Sequence, residues 1–273
     1  MKYDLSGDEV QMIEITSLDR KKFAEEGFII IKGQNANEDL SSLAEGITRL
    51  GKFFFDHDFR LDSPIKNEFQ NQIGPFYKVL RYLPELFRLA SSKTILKLVS
   101  DLGLEHPLTM NSNNVRFDPP DNRALFHWHQ DTTYLLGSTN AITIWIPLTG
   151  ANKFQGSIEV IPGSHKSGLF PFRFTNGLPD KGTRVSPKDI YLTEDPKETP
   201  LMIEVEPCDL VVFSQMLLHR STPNFSNHPR VTTQLRYSDL KDGEFRNADY
   251  PFGDVTNITQ VPSYLQLGDR HKI

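Results

Sequence analysis

Over the first hundred residues apolar positions recur at helical spacing, and from about residue 108 the period shortens to that of strands. "SLDRKKFAEEG" offers Ser17 as an N-cap and Gly27 as a stop, predicting a helix that runs into the short strand "FIIIKG". Leu40, Leu43, Ile47 and Leu50 recur in steps of three and four after Asn37, which predicts an amphipathic helix. "PELFRLASSKTILKLVSDLG" repeats that pattern as a second one, with Pro84 early and Gly103 at its end. Both stripes need a sheet to cover. "LTMNSNNVRF", "AITIWIPL", "GSIEVIP", "CDLVVF" and "RVTTQLRYS" are short β-rich runs separated by Gly, Pro, Asn and Asp turns. Many such strands predict a sandwich, jelly roll or barrel and argue against a βαβ fold.

No repeat, low-complexity segment or linker divides the chain, so residues 1–273 are expected to form a single domain. Residues 166–206 interrupt the strand pattern with Gly168, Gly177, Gly182, Phe170, Phe172, Phe174 and mixed charges. That composition suits a loop that closes over a substrate and suits a strand poorly.

Composition narrows the partners. The net charge of −5, with no basic run interleaved with aromatics, argues against a nucleic-acid surface and leaves a small molecule as the expected partner. No stretch approaches the ~20 apolar residues of a membrane helix, and "MKYDLSGDEVQM" lacks the apolar segment of a signal peptide, so a cytoplasmic address is expected. The single cysteine, Cys208, rules out an internal disulfide and reads as a buried structural thiol. Oligomeric state has no signature in the sequence.

Chemistry concentrates in "HWHQDTTY", residues 127–134. On a strand, positions i and i+2 share a face, so His129 and Asp131 would project together and Gln130 away. An imidazole beside a carboxylate suits Fe(II), Mn(II) or Zn(II), and a third ligand from a distant strand would complete a facial triad with open positions. His219, at the end of an apolar run in "SQMLLHRSTPN", is the best candidate. His127 lacks an aspartate two residues on and is expected beside the site or at the surface. His57, His106, His165, His228 and His271 lie in turn-like or polar surroundings. Eleven residues beyond His219, Arg230 opens the last strand, and its guanidinium is shaped to grip a carboxylate with two bonds. Arg230, Thr232, Gln234 and Arg236 would share one face of that strand, where Arg236 meets either an anionic substrate or an acidic neighbour. Asn111, Asn113 and Arg116, on the strand before the His-x-Asp pair, are further candidates for the co-substrate or substrate. Tyr134 and Trp145 are candidate pocket walls or aromatic core.

Taken together, "WHQD", "GSIEVIPGSHKSG" (156–168) and "CDLVVFSQMLLHRSTPNFSNHPRVTTQLRYS" resemble the phytanoyl-CoA dioxygenase family of Fe(II)/2-oxoglutarate-dependent oxygenases, from about residue 20 onward. The resemblance implies a mainly β fold, a double-stranded β-helix (a cupin-like jelly roll) flanked by N-terminal α-helices. It implies that His129, Asp131 and His219 bind iron and that Arg230, with Ser221 beside it, holds the far carboxylate of 2-oxoglutarate. Three protein ligands leave three positions, two for the keto acid and one for O₂. The expected activity is hydroxylation of a small metabolite with release of succinate and CO₂. Halogenases of this type have a small residue where Asp131 stands, so its carboxylate favours hydroxylation. One departure is Cys208-Asp209 where Gly-Asp is usual, expected to alter a bend and leave the chemistry alone. The "PGSH" segment lacks the Gly-x-Ser-x-Gly elbow and reads as a structural turn. Two other classes fit the triad: a cupin-like metal-binding protein without redox turnover, which needs no Arg230, and a zinc hydrolase, which uses a bound water.

Overall fold

The structure, a computed structural model, describes residues 13–33, 37–109, 113–120, 126–135, 139–175 and 189–242. Helix α1 (Ser17–Glu26) leads into strand β1 (Phe28–Ile31), and α2 (Asn37–Phe54), α3 (Ile73–Leu80), α4 (Pro84–Ala90) and α5 (Lys93–Asp101) follow. Two details of the helices differ from expectation. The N-cap of α1 is Thr16, whose hydroxyl accepts from Asp19 N while Asp19 Oδ2 accepts from Thr16 N, a reciprocal box that Ser17 cannot make from inside the helix. The long "PELF…" segment is two helices, because Ser92 leaves helical geometry and its hydroxyl accepts Ile95 N to start α5 afresh.

Strands β2 (Pro107–Thr109), β3 (Asn114–Asp118), β4 (Ala141–Pro147), β9 (Leu210–Ser214) and β11 (Arg230–Asp239) join β1 in an antiparallel sheet ordered β1-β9-β4-β11-β2, with β3 paired to the first half of β11. A smaller sheet, β10-β5-β8, uses β5 (Ile158–Val160), β8 (Leu201–Met202) and β10 (His219–Ser221). The period of two decides what each face does. Ile142, Ile144 and Ile146 of β4, Leu210 and Val212 of β9, and Val231, Leu235 and Tyr237 of β11 pack against Leu43, Ile47, Leu89, Ile95 and Leu98 of the helices. The Tyr237 hydroxyl donates to Ala90 O at 2.6 Å and pins α4 to the sheet. The alternate residues Trp145, Val211 and Phe213 meet Ile158 and Val160 of the small sheet, and Ile203 and Leu217 next to its strands, in a second apolar cluster. Two facing sheets with helices covering one outer face make a double-stranded β-helix, as the sequence resemblance implied. Within the cluster between the sheets, the polar face of β11 forms one wall of the candidate site.

Residues 166–206 are not a plain loop. Phe172–Phe174 (β6) pairs antiparallel with Ile190–Leu192 (β7), and Leu201–Met202 joins the small sheet. The Phe172/Phe174 alternation and the apolar Ile190–Leu192 run are enough for short pairing despite the glycines, and Gly177 and Gly182 lie outside the described residues. Cys208 is half-buried on a turn ahead of β9, not deep in a strand, and takes φ 68°, the left-handed region that favours glycine. Burial and the adjacent Asp209 push its thiol pKa up, which suits an inert thiol.

Candidate metal and co-substrate site

The three expected ligands converge. One ligand atom from each of His129, Asp131 and His219 lies within 4.8 Å of the others, and all three residues are buried. Asp131 Oδ1 is 3.6 Å from His129 Nε2 and 3.5 Å from His219 Nε2. The strand expected over 127–134 is absent. His129 forms an isolated bridge with His219, each backbone N–H donating to the other's carbonyl at 3.0 Å, and the chain then turns into the short helix α6 (Thr132–Leu135). A backbone bond from Thr132 N to Gln215 O fastens that turn, so the turn, not strand alternation, brings Asp131 round to the histidines. Gln130 does point away, and it clamps the turn: its amide nitrogen donates to Gly168 O and Met216 O and its oxygen accepts from Phe170 N.

Each ligand is oriented by what its other atom does. His129 Nδ1 lies 2.7 Å from His127 O and His219 Nδ1 lies 3.0 Å from Leu217 O. A ring N–H donated to those carbonyls leaves both Nε2 lone pairs facing the centre. Burial and the neighbouring His129 push the His219 pKa down to about 4, so its imidazole is neutral and ready to ligate at pH 7. Burial alone would raise the Asp131 pKa, but contact with His129, His219 and Arg236 outweighs it and holds the carboxyl well below the usual range. Asp131 Oδ2 accepts from Thr143 Oγ1 at 2.7 Å and faces Arg236 Nε at 3.8 Å. Two imidazoles and one carboxylate, each fixed from behind, fit a divalent iron.

A small cavity of about 20 Å³ adjoins the ligands, lined also by Arg116, Trp145, Ser221, Arg230, Thr232 and Arg236. Arg230 is fully engaged at one end: Nη1 donates to Ser157 O and Thr222 O, and Nη2 meets Asp118 Oδ2 at 3.0 Å. Its Nε–H, like the Thr232 hydroxyl, is buried with no hydrogen-bond partner among the described residues. A buried donor left unmade is costly and marks where a ligand oxygen belongs. Gly156 permits this packing, since at φ 77° any Cβ would sit 2.9 Å from Arg230 Nη1 and 2.8 Å from two carbonyls.

Of the other candidates, Arg116 lines the cavity with its guanidinium bidentate on Asp118 and 4.1 Å from the Phe126 ring centroid. Trp145 is a buried wall of the cavity. Arg236 faces inward and meets the acidic neighbour Asp131. Asn113 is structural: its amide donates to Thr109 Oγ1 and accepts from Arg236 N. Asn111 lies outside the described residues, as does the side chain of Tyr134. His127 lends its carbonyl to His129 and stacks on Tyr191 at 4.3 Å. In the "PGSH" turn, Ser164 Oγ accepts Leu218 N and braces the approach to β10, a structural role. Sequence reasoning passed over Asp118 and Thr143. Asp118 alternates with Arg116 on β3, a polar pair on one face of a buried strand, and that was the available signal.

A jelly roll carrying a His/Asp/His centre beside a buried arginine defines an oxygenase-like site, and the comparisons agree. Residues 23–232 match the phytanoyl-CoA dioxygenase (PhyH) family, and the chain belongs to it. A "Phytanoyl-CoA dioxygenase" of Arabidopsis thaliana is 29% identical over 70% of this chain and 66% of its own length. A "1-deoxypentalenic acid 11-beta-hydroxylase" of Streptomyces exfoliatus is 32% identical over 50% of this chain and 52% of that one. EvdO2 from Micromonospora carbonacea var. aurantiaca, solved with 2-oxoglutarate, superposes with TM-score 0.59 at 19% identity, covering 88% of this chain and 99% of that one. EctD from S. alaskensis, with 2-oxoglutarate and 5-hydroxyectoine, gives 0.59 at 17% identity over 86% and 82%. The chain is a 2-oxoglutarate-dependent oxygenase using Fe(II) and O₂. No helix among the described residues is long and apolar enough to cross a membrane.

Proposed function

We propose that this chain hydroxylates a small organic molecule, with iron held by His129, Asp131 and His219 and 2-oxoglutarate anchored by Arg230, Thr232 and Ser221. The carrying observation is that the converged ligand atoms and the unspent Arg230 Nε–H line one cavity. Bound there, Fe(II) with 2-oxoglutarate and O₂ supplies oxidation of a C–H bond, and the keto acid leaves as succinate and CO₂. The chain's own residues position and shield. Thr143 and the His127 and Leu217 carbonyls fix the ligand rotamers, while Trp145, Phe213 and Ile158 keep the centre dry. Arg230 presents one guanidinium edge, already oriented by Asp118 and two carbonyls, so little entropy is lost when a carboxylate docks.

We also infer one domain with residues 166–206 as its cover: hairpin β6–β7 places Tyr191 and Leu192 along the cleft outside the site. A cytoplasmic address is our reading of the chain's polar character and single free cysteine. The test is spectroscopic and chemical. Anaerobic Fe(II) plus 2-oxoglutarate should give the weak visible metal-to-ligand band, and admission of O₂ should release succinate. Iron binding without that band would favour a metal-binding protein without redox turnover.

A further inference from the structure

Resting on that oxygenase reading, we propose that the prime substrate is an uncharged molecule with a bulky apolar body, held in the cleft outside Phe126 with Phe225 as its outer wall. The cavity beside the metal ligands is committed in that reading to iron and 2-oxoglutarate, so the body of the substrate needs a space of its own. A cleft of about 560 Å³ adjoins that cavity, and Phe126 and Ser221 belong to the walls of both. That volume is ordinary for a site that encloses a mid-sized organic molecule. A body seated there would rest against Phe126, whose ring centroid lies 6.0 Å from that of the ligand His129.

The apolar walls come from separate segments. Phe126 and Trp128 stand on the approach to the metal ligands, Tyr191 and Leu192 on β7, Met202 on β8 and Phe225 on the loop between β10 and β11. Single exposed apolar side chains are ordinary on a protein surface, but a set converging on one cleft from four segments marks a binding surface. Phe225 is the clearest case. It is 71% exposed, yet its turn is braced: Phe225 N donates to Phe154 O at 2.7 Å, and on the neighbouring Asn224 the amide donates to His228 O while the side-chain oxygen accepts from Ser226 N. A ring held out to water by a braced turn leaves water only when something lies against it. The hairpin wall is likewise anchored, by the Gln130 amide to Gly168 O and Phe170 N and by Phe170 and Leu192 packed on the cluster around Trp128. A cleft with fixed walls needs little ordering to bind.

Charge sets the class of molecule. Along the cleft Lys153 and Arg220 are matched by Glu159 and Asp195. Arg220 is engaged by its neighbours: Nε donates at 2.6 Å to Oε2 of Glu159, its cross-strand partner on β5, and the guanidinium lies 4.7 Å from the Trp128 ring centroid. Lys153 and Asp195 are exposed, where solvent and salt screen them. The lining thus carries no net charge to offset the desolvation of an ion, while its rings favour the burial of apolar surface.

Three probes with one apolar body decide the matter: 1-adamantanemethanol, adamantane-1-carboxylate and 1-adamantanemethylammonium, bound anaerobically to the Fe(II)/2-oxoglutarate enzyme. Binding is followed by calorimetry and by tryptophan fluorescence, since the two tryptophans, Trp128 and Trp145, line the cleft and the cavity respectively. The alcohol should bind at least about tenfold tighter than either ion. Phe225→Ala should weaken the alcohol by about fivefold or more while the visible band develops as in the parent, and Phe225→Leu should keep most of the affinity. The exposure of Phe225 keeps both variants folded. An alcohol that does not bind, or binds no tighter than one of the ions, overturns the proposal, as does an affinity indifferent to Phe225→Ala. A parent without any visible band would instead defeat the oxygenase reading, and fluorescence would still report on the cleft by itself.

Discussion

The two faces of strand β11 make opposite use of the same ten residues. Outward, Val231, Leu235 and Tyr237 sit fully buried against the helices, and removing their area from water stabilises the fold. Inward, Arg230, Thr232 and Arg236 are almost as buried, yet they carry two charges, and the Thr232 hydroxyl and Arg230 Nε–H have no hydrogen-bond partner among the described residues. Burying such groups costs stability unless they are matched, and here those two donors are left unmatched among the described residues beside the His129/Asp131/His219 cluster. The lesson is a division of labour within one strand: the outer face holds the sheet in place, and the inner face carries the charged and polar groups that line the candidate site.

The sharpest way to break the comparison lies at the centre itself. His219→Ala should lower Fe(II) affinity by more than about 100-fold, beyond the usual cost of losing a residue that merely supports a ligand, while the apo fold survives. Metal titration with circular dichroism reads both; unchanged affinity in a folded variant removes His219 from the ligand set. The outer face should answer in reverse. Leu235→Ala should destabilise the apo protein by about 2–5 kcal/mol in urea unfolding and leave iron and 2-oxoglutarate affinities near parental. Loss of co-substrate binding without loss of stability would show the two faces to be less separate than their packing implies.

A third variant probes the inner face alone. Arg230→Leu should raise the 2-oxoglutarate requirement tenfold or more, for a cost of about 2–5 kcal/mol in binding, with iron affinity little changed. Asp118 keeps Arg116 as its partner in that variant, so the fold is not left with an isolated buried carboxylate. The same half-saturation in parent and variant would remove Arg230 from the co-substrate site.

What the sequence disclosed follows the same division. The alternation in "RVTTQLRYS" already separated the two faces of β11, because a period of two needs no tertiary information. The ligand set was legible because His and Asp types at that spacing, with a distal His and an arginine eleven residues on, narrow the chemistry. The geometry that unites them was not. Asp131 reaches the histidines through a turn fastened by Thr132 to Gln215 and by Gln130 to the 168–170 and 216 backbone, contacts between segments far apart in the chain. Asp118 was hidden for a related reason. Its role depends on β3 pairing with β11 in the register that sets it opposite Arg230, and register is a property of the assembled sheet. The division of "PELF…" into α4 and α5 was missed because the Ser92 cap interrupts an apolar period that continues on both sides.

Asp118 also supplies the smallest effect, and one that tests whether the inner face is paired as the geometry indicates. Burial alone would raise its pKa, but the Arg116 and Arg230 guanidiniums outweigh that and lower it to about 2 from the ordinary 3.8. Its folded pKa lies below the unfolded one, so as pH falls the unfolded chain takes up the proton first. Stability from this carboxylate is therefore complete above about pH 4 to 5 and is lost as pH drops toward 2, in total about 2 kcal/mol. Metal-free protein unfolded in urea between pH 5 and 3 should lose stability on acidification. Asp118→Asn, less stable than the parent at neutral pH because two arginines lose their shared anion, should close part of that gap as the solution is acidified. A gap that stays constant across the range would mean the carboxylate titrates alike in the folded and unfolded chains, and the Arg116–Asp118–Arg230 array would then not be the coupled buried unit on which the inner face depends.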